Sequence, residues 1–146
     1  MKEIARSAIV EHSAAQMYAL VDDIESYPRF LPWCRDARVE SVGEGKRATL
    51  TAGLRGLQQS FTTLNENRPG EAIDMRLVEG PFEHFTAAWR FTALSGQACE
   101  IAFSLRYEIS SRALGKLLEP LFDEIADTMV EAFTRRADEL HGRHSR

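Results

Sequence analysis

The sequence predicts an α+β fold of two layers, a strongly twisted antiparallel sheet of six to seven strands wrapped on one long C-terminal helix. Three observations predict it. Short alternating runs occupy the stretch from Arg35 to Ile109, divided by Gly43-Glu44-Gly45, Arg55-Gly56, Asn67-Arg68-Pro69-Gly70, Gly80-Pro81 and Ser95-Gly96, which is the punctuation of hairpins. The last segment changes period: Leu114, Leu117, Leu118, Leu121, Phe122, Ile125, Met129, Val130, Phe133, Ala137 and Leu140 recur at helical spacing. Asp123, Glu124, Asp127, Glu131, Arg135 and Arg136 fill that helix's other face. With 146 residues, 44% of them apolar and 27% charged, one domain spanning 1–146 is expected. A chain of that size buries roughly 70% of its unfolded surface, enough for a core without metal or disulfide staples.

Lys2 to Glu11 alternates loosely, with Ile4, Ala8 and Val10 of one parity, and reads as a first strand. Ser13 is placed to cap a helix from Ala14 to about Val21. Asp22-Asp23 then caps a short turn through Ile24 and Glu25. Tyr27-Pro28-Arg29-Phe30-Leu31-Pro32-Trp33 is expected to be a constrained loop, because each proline disfavours helix in the residue before it. Four large apolar side chains in such a loop either cap a pocket mouth or plug one end of the core.

The clearest strand puts Cys99, Ile101, Phe103, Leu105, Tyr107 and Ile109 on one face and polar residues on the other. Phe85, Ala87, Trp89, Phe91 and Ala93 repeat the pattern, as do Ala48, Leu50, Ala52 and Leu54, and Ile73, Met75 and Leu77. Pro120 cannot donate to the carbonyl of Lys116, so the terminal helix is expected to restart there with Pro120 in its first turn. Residues 141–146 have no apolar partner and are expected to fray.

The formal net charge is −4 and the basic residues are scattered, which argues against a groove that tracks phosphates and removes DNA from the expected partners. Charges at Lys2, Glu3 and Arg6 occupy the place of a secretory signal, and no window approaches the ~20 apolar residues of a membrane span. The expected location is cytoplasmic, or peripheral at the inner face of the membrane. Cys34 and Cys99 are then expected to be buried thiols.

No catalytic residue and no metal ligand is assigned from the sequence. There is no elbow serine and no phosphate-cradling glycine run. Asp22 and Asp23 are adjacent, about 100° apart on a helix, and fit a helix terminus better than an acid pair. His12 precedes a helix cap, His84 stands alone between Phe82 and Phe85 at a surface or rim, and His141 and His144 fall in the tail. The inward aromatic and sulfur-bearing side chains leave two readings open: a solid core, or a cavity lined by rings and thioethers for an apolar ligand.

Several segments carry a family likeness: 21–34 (VDDIESYPRFLPWC), 77–82 (LVEGPF), 89–91 (WRF), 99–103 (CEIAF) and 129–137 (MVEAFTRRA). In order and over nearly the whole chain, they resemble the RatA-type family, which is similar to the mitochondrial coenzyme Q-binding proteins within the START-like polyketide cyclase and lipid transport superfamily. The resemblance departs at Thr86-Ala87-Ala88, where relatives often carry glycine, and at Thr92-Ala93-Leu94, which lacks a proline common there.

The resemblance implies a START-like helix-grip fold that holds ubiquinone or another isoprenoid lipid. The implied role is noncatalytic, a carrier or chaperone supporting respiration with no required cofactor. It also implies an alternative, a ribosome association toxin of a toxin–antitoxin pair that binds the large ribosomal subunit and blocks subunit joining.

On the ligand reading, Phe30, Leu31 and Trp33 form the mouth. Met75, Leu77, Phe85, Trp89, Phe103 and Tyr107 form the sheet wall, with Tyr107 offering a hydrogen bond to a ligand carbonyl. Phe122, Ile125, Met129 and Phe133 form the helix wall. Transient membrane contact is a further expected partner interaction. On the ribosome reading, Arg135, Arg136 and Arg143 meet the partner in a salt-dependent way. A third class, an aromatase/cyclase-like enzyme, needs a polar trio such as His84, Arg76 and Tyr107 converging in the pocket.

Overall fold

The computed structural model describes residues 1–43 and 45–142. Strand β1 (Lys2–Val10) leads into helix α1 (Ala14–Asp22) and a 3-10 helix (Ile24–Arg29). Six strands follow: β2 (Cys34–Val42), β3 (Gly45–Leu54), β4 (Leu57–Arg68), β5 (Ala72–Glu79), β6 (Phe82–Ala93) and β7 (Cys99–Ile109). Helix α2 (Arg112–His141) ends the described chain. The strands form one curved, fully antiparallel sheet in the order β1-β7-β6-β5-β4-β3-β2. Five hairpins build that order from β2 to β7, and β1 returns to the far edge beside β7.

Local chemistry sets these elements. Ser13 Oγ accepts from Gln16 N at 3.0 Å while Gln16 Oε1 accepts from Ser13 N at 3.0 Å, a reciprocal cap on α1. At the β3–β4 turn, Leu54 pairs with Leu57 and the two residues between them, Arg55 and Gly56, have φ of 53° and 84°. That left-handed pair lets a two-residue turn follow the twist of its strands. Of the turn expected at Gly43-Glu44-Gly45, Gly45 opens β3, and Glu44 lies outside the described residues.

Alternation decides the layers. Cys99, Ile101, Phe103, Leu105 and Tyr107 are buried, and Phe85, Ala87, Trp89 and Phe91 join them from β6. On α2 the buried stripe runs through Leu118, Leu121, Phe122, Ile125, Ala126, Met129, Val130, Phe133 and Ala137. Lys2 pairs with Asp123 at 2.8 Å and Arg6 with Asp127, tying α2 to the β1 edge.

Four expectations need correction. The segment expected to be a loop from Tyr27 begins inside the 3-10 helix, with Pro28 in it. The bonds Ser26 N→Asp23 O and Phe30 N→Tyr27 O flank Pro28, so its missing N–H interrupts little. Helix α2 does not restart at Pro120 but runs through it from Arg112; packing of the buried stripe outweighs the lost bond. Leu114, Leu117 and Leu140 are exposed, because the covered stretch is central, and Ala93 is exposed at its strand end. His141 is the last residue of α2 and Gly142 caps it, donating to Asp138 O, rather than both lying in a frayed tail. Residues 143–146, including Arg143 and His144, lie outside the described residues.

Candidate functional site

A cavity of about 50 Å³ lies between the concave face of the sheet and α2. Small side chains line it: Ala48 on β3 lies between Val39 and Thr63, and Ala87 on β6 between Met75 and Leu105. Phe61, Ile73, Met75, Phe85, Trp89, Phe103 and Leu105 complete the sheet side, and Phe122, Ile125 and Met129 face them from α2. Val21, Ile24, Tyr27 and Trp33 close one end from the α1–β2 connection. One polar pair interrupts this surface. Asn65 and Thr63, both buried on β4, join through a hydrogen bond from Thr63 Oγ1 to Asn65 Oδ1 at 2.7 Å. With its oxygen engaged, the Asn65 amide has donors to offer.

Eight of the thirteen residues expected at a ligand site come together on this cavity: Trp33, Met75, Phe85, Trp89, Phe103, Phe122, Ile125 and Met129. Five do not. Phe30 lines an outer groove, and Leu31 is buried in the core without reaching the cavity. Leu77 is half-buried by a surface depression that also holds His84. Phe133 is packed edge-on against Tyr27, Phe30 and Trp89, with ring centroids 5.2–5.3 Å apart. Tyr107 is buried toward another end, where its hydroxyl donates to Asp123 Oδ1 at 3.2 Å instead of facing the cavity.

Missed by sequence reasoning were Asn65, Thr63 and Phe61, together with Ala48, Leu50, Ile73, Ala87 and Leu105 as cavity walls. The available signal was the shared parity of 61, 63 and 65 on β4, hidden because two of those three inward residues are polar.

Outside the cavity, an open groove of about 220 Å³ runs between α2, the Phe30–Trp33 segment and the end of β3. Trp33 lines both spaces. A β-bulge between Cys34 and Asp36, with Gly53 N donating to Trp33 O at 2.8 Å, fixes its backbone. A Cβ on Gly53 would come within 2.8 Å of Arg35 Nε, so glycine admits that close approach. The Arg136 guanidinium lies 5.2 Å above the Phe30 ring and donates to Glu139 at 3.3 Å. Arg135 pairs with Glu131 at 3.3 Å. Trp33 Nε1 and Arg136 Nε are buried and make no hydrogen bond among the described residues.

Burial sets the titration of the groups near this end. It pushes the Cys34 thiol up to about 11, against a smaller opposing effect of its hydrogen bond to Asp36 O, and it raises Cys99 as well. Both cysteines are buried free thiols. Burial raises Tyr27 far above the usual phenol range, and the Asp22 charge adds to it; its hydroxyl donates to Val21 O. Asp22 itself binds Lys46 Nζ at 2.8 Å and Asn67 Nδ2 at 2.9 Å, so it ties α1 to the sheet. Asp23 stands at the N-cap of the 3-10 helix, but its side chain accepts from Ser26 Oγ at 2.6 Å and caps no backbone N–H.

His12 is fully buried, with Nε2 2.7 Å from Asp138 Oδ1, a role its position before a helix cap did not suggest. His84 and Arg76 are exposed, whereas Tyr107 is buried elsewhere, so that trio does not converge in the cavity. Among the described residues, no group of three or more His, Cys, Asp or Glu is placed to hold a metal ion, and no helix is long and apolar enough to cross a membrane.

A seven-stranded antiparallel sheet gripping a long C-terminal helix around an apolar cavity defines the START-like helix-grip class. The chain belongs to the polyketide cyclase/dehydrase and lipid transport family, whose profile matches residues 10–134, and to its RatA/coenzyme Q-binding branch. It is 41% identical to the ribosome association toxin RatA of Escherichia coli K12 over 97% of this chain and 90% of that one. It is 31% identical to the mitochondrial coenzyme Q-binding protein COQ10 homolog B of Xenopus laevis over 97% of this chain and 60% of that one. Among solved structures, the Zhui aromatase/cyclase from a Streptomyces species superposes with a TM-score of 0.82 at 15% identity, covering 94% of each chain, a likeness of fold.

Proposed function

We propose that the protein is a noncatalytic carrier or chaperone for an apolar small molecule, of which an isoprenoid quinone such as ubiquinone is the leading class. One observation carries this reading: the cavity between sheet and helix is walled by aliphatic, aromatic and thioether groups and interrupted by a single buried polar pair, Thr63–Asn65. Small-molecule sites have that composition, a mostly apolar wall with few placed polar groups. The coenzyme Q-binding relative supports the class of ligand.

At about 50 Å³ the cavity has room for a water or two, not for a quinone ring. Binding on this reading therefore opens the cavity toward the 220 Å³ groove across Trp33, with Met75 and Met129 adapting their flexible side chains. The driving force suffices. Burying roughly 400 Å² of apolar ligand surface gives a gross ~10 kcal/mol at about 25 cal/mol per Å², much of it offset by association and opening costs. The test is solvent extraction and mass spectrometry of natively purified protein, with titration by short-chain ubiquinone. A copurifying quinone or lipid, or saturable one-to-one binding, is expected. If no molecule copurifies and no binding is seen, the reading is overturned.

A second reading is favoured by the 41% identical relatives named as ribosome association toxins. On it, the outer surface meets the large ribosomal subunit and hinders its joining. Arg135 and Arg136 are already paired with Glu131 and Glu139. Exposed Arg29, Arg35 and Arg55 carry no ion pair among the described residues and are the freer cations. Gradient sedimentation of ribosomal subunits with added protein tests this. Cosedimentation that weakens with salt is expected, and unchanged subunit joining without cosedimentation removes the reading.

A further inference from the structure

Two buried donors without an acceptor among the described residues, Trp33 Nε1 and Arg136 Nε, belong to residues that line one groove. Both groups can only donate, so what would satisfy them is an oxygen acceptor supplied from outside. The charge around them selects its kind. Arg35, Arg135 and Arg136 are balanced by Glu124, Glu131 and Glu139, and two of those arginines are already in ion pairs. With three guanidiniums against three carboxylates the groove has no net charge to draw an anion, whereas a neutral acceptor that displaces the atoms covering them gains two N–H groups. The same indole also walls the apolar cavity, so an oxygen held at Trp33 leaves the rest of its molecule beside greasy space.

From these observations we infer that the outer groove seats a neutral carbonyl oxygen at the polar end of an apolar ligand. The Trp33 and Arg136 Nε–H groups bind it, and the ligand's apolar part passes the indole into the cavity. The inference rests on the ligand-binding reading above and specifies it: the polar end stays at the mouth. A quinone carbonyl and a fatty-acyl ester carbonyl share this chemistry.

The experiment titrates the intact protein with short-chain ubiquinone, with a monoacylglycerol, and with an oxygen-free isoprenoid hydrocarbon of similar length. The Trp33 indole N–H resonance is followed by nitrogen–proton NMR correlation, assigned by its loss in Trp33→Phe. A downfield shift of that resonance with a carbonyl ligand but not with the hydrocarbon is expected, and the ligand that produces it identifies the source. Trp33→Phe and, independently, Arg136→Lys should each weaken the carbonyl ligand roughly 5- to 10-fold and the hydrocarbon less than about 2-fold. Arg136→Lys keeps the charge and loses the Nε–H, so it holds if Trp33→Phe misfolds. Carbonyl ligands that bind without moving the resonance overturn this placement while leaving the ligand-binding reading standing, as do variants that weaken all ligands equally. Binding of none of the three by the wild type overturns both.

Discussion

At residue scale, the Thr63–Asn65 pair is the polar feature of an otherwise greasy interior, and its energetics are asymmetric. A buried amide oxygen that loses its donor keeps its desolvation cost, so Thr63→Val should destabilise the protein by about 1–2 kcal/mol although it removes no packing volume. Urea denaturation measures this, and an unchanged midpoint would show that Asn65 finds another donor. Cys34 makes a separate prediction. Its thiol is raised by burial to about 11 from an ordinary value of 9.0, so the unfolded chain ionises first as pH rises. Stability from this group is fully present below pH 9 and is lost between about pH 9 and 11, up to about 2–3 kcal/mol at one pH unit per 1.36 kcal/mol. Tyr27 and Tyr107 are raised by the same cause and act in the same direction above pH 10. Denaturation at pH 8 and pH 10.5 should show wild type losing more than Cys34→Ala; parallel losses would refute the assignment to Cys34.

At the scale of elements, local signals marked most of the fold because each is a short-range constraint. Gly-containing turns fall where the sheet reverses, and the Arg55-Gly56 pair adopts the left-handed conformation such a tight hairpin demands. Ser13 stands three residues before Gln16, the spacing that closes a cap from both sides. Two of the misread places are prolines, where a local penalty competes with tertiary packing. Pro28 sits in a 3-10 helix held by Tyr27 against Phe133 and Val21, and Pro120 sits inside α2 beside buried Leu121 and Phe122. Because Pro120 is exposed and its ring crowds the Lys116 carbonyl, the penalty stays in the native state. Pro120→Ala should therefore stabilise the protein, by as much as about 3 kcal/mol in the limit of an ideal helix interior. A thermal scan that shows no gain would mean that the helix has already adapted its geometry to the ring.

At the scale of the whole molecule, parity along β5, β6, β7 and α2 showed which side chains point inward, and seven of the expected site residues on them meet on one cavity, with Trp33 joining from the α1–β2 connection. Whether inward residues touch or leave space was not legible, because it depends on summed volumes across seven strands and a helix. The absent bulk is at Ala48 and Ala87, which read in sequence as ordinary small strand residues. That bulk also separates the two functional readings. Filling about 50 Å³ with the two added carbons of Ala87→Val removes a void worth about 1 kcal/mol at ~24 cal/mol per Å³. The variant should thus be slightly more stable than wild type and should bind short-chain ubiquinone at least about tenfold more weakly, since opening must now expel packed atoms. Ribosome association through exposed arginines requires no internal space and should survive the substitution unchanged in gradient sedimentation. A filled variant that binds quinone as tightly as wild type would move the guest out of the cavity and onto the groove. Loss of both activities in a protein of undiminished stability would instead mean that the open cavity is the form that meets the ribosome.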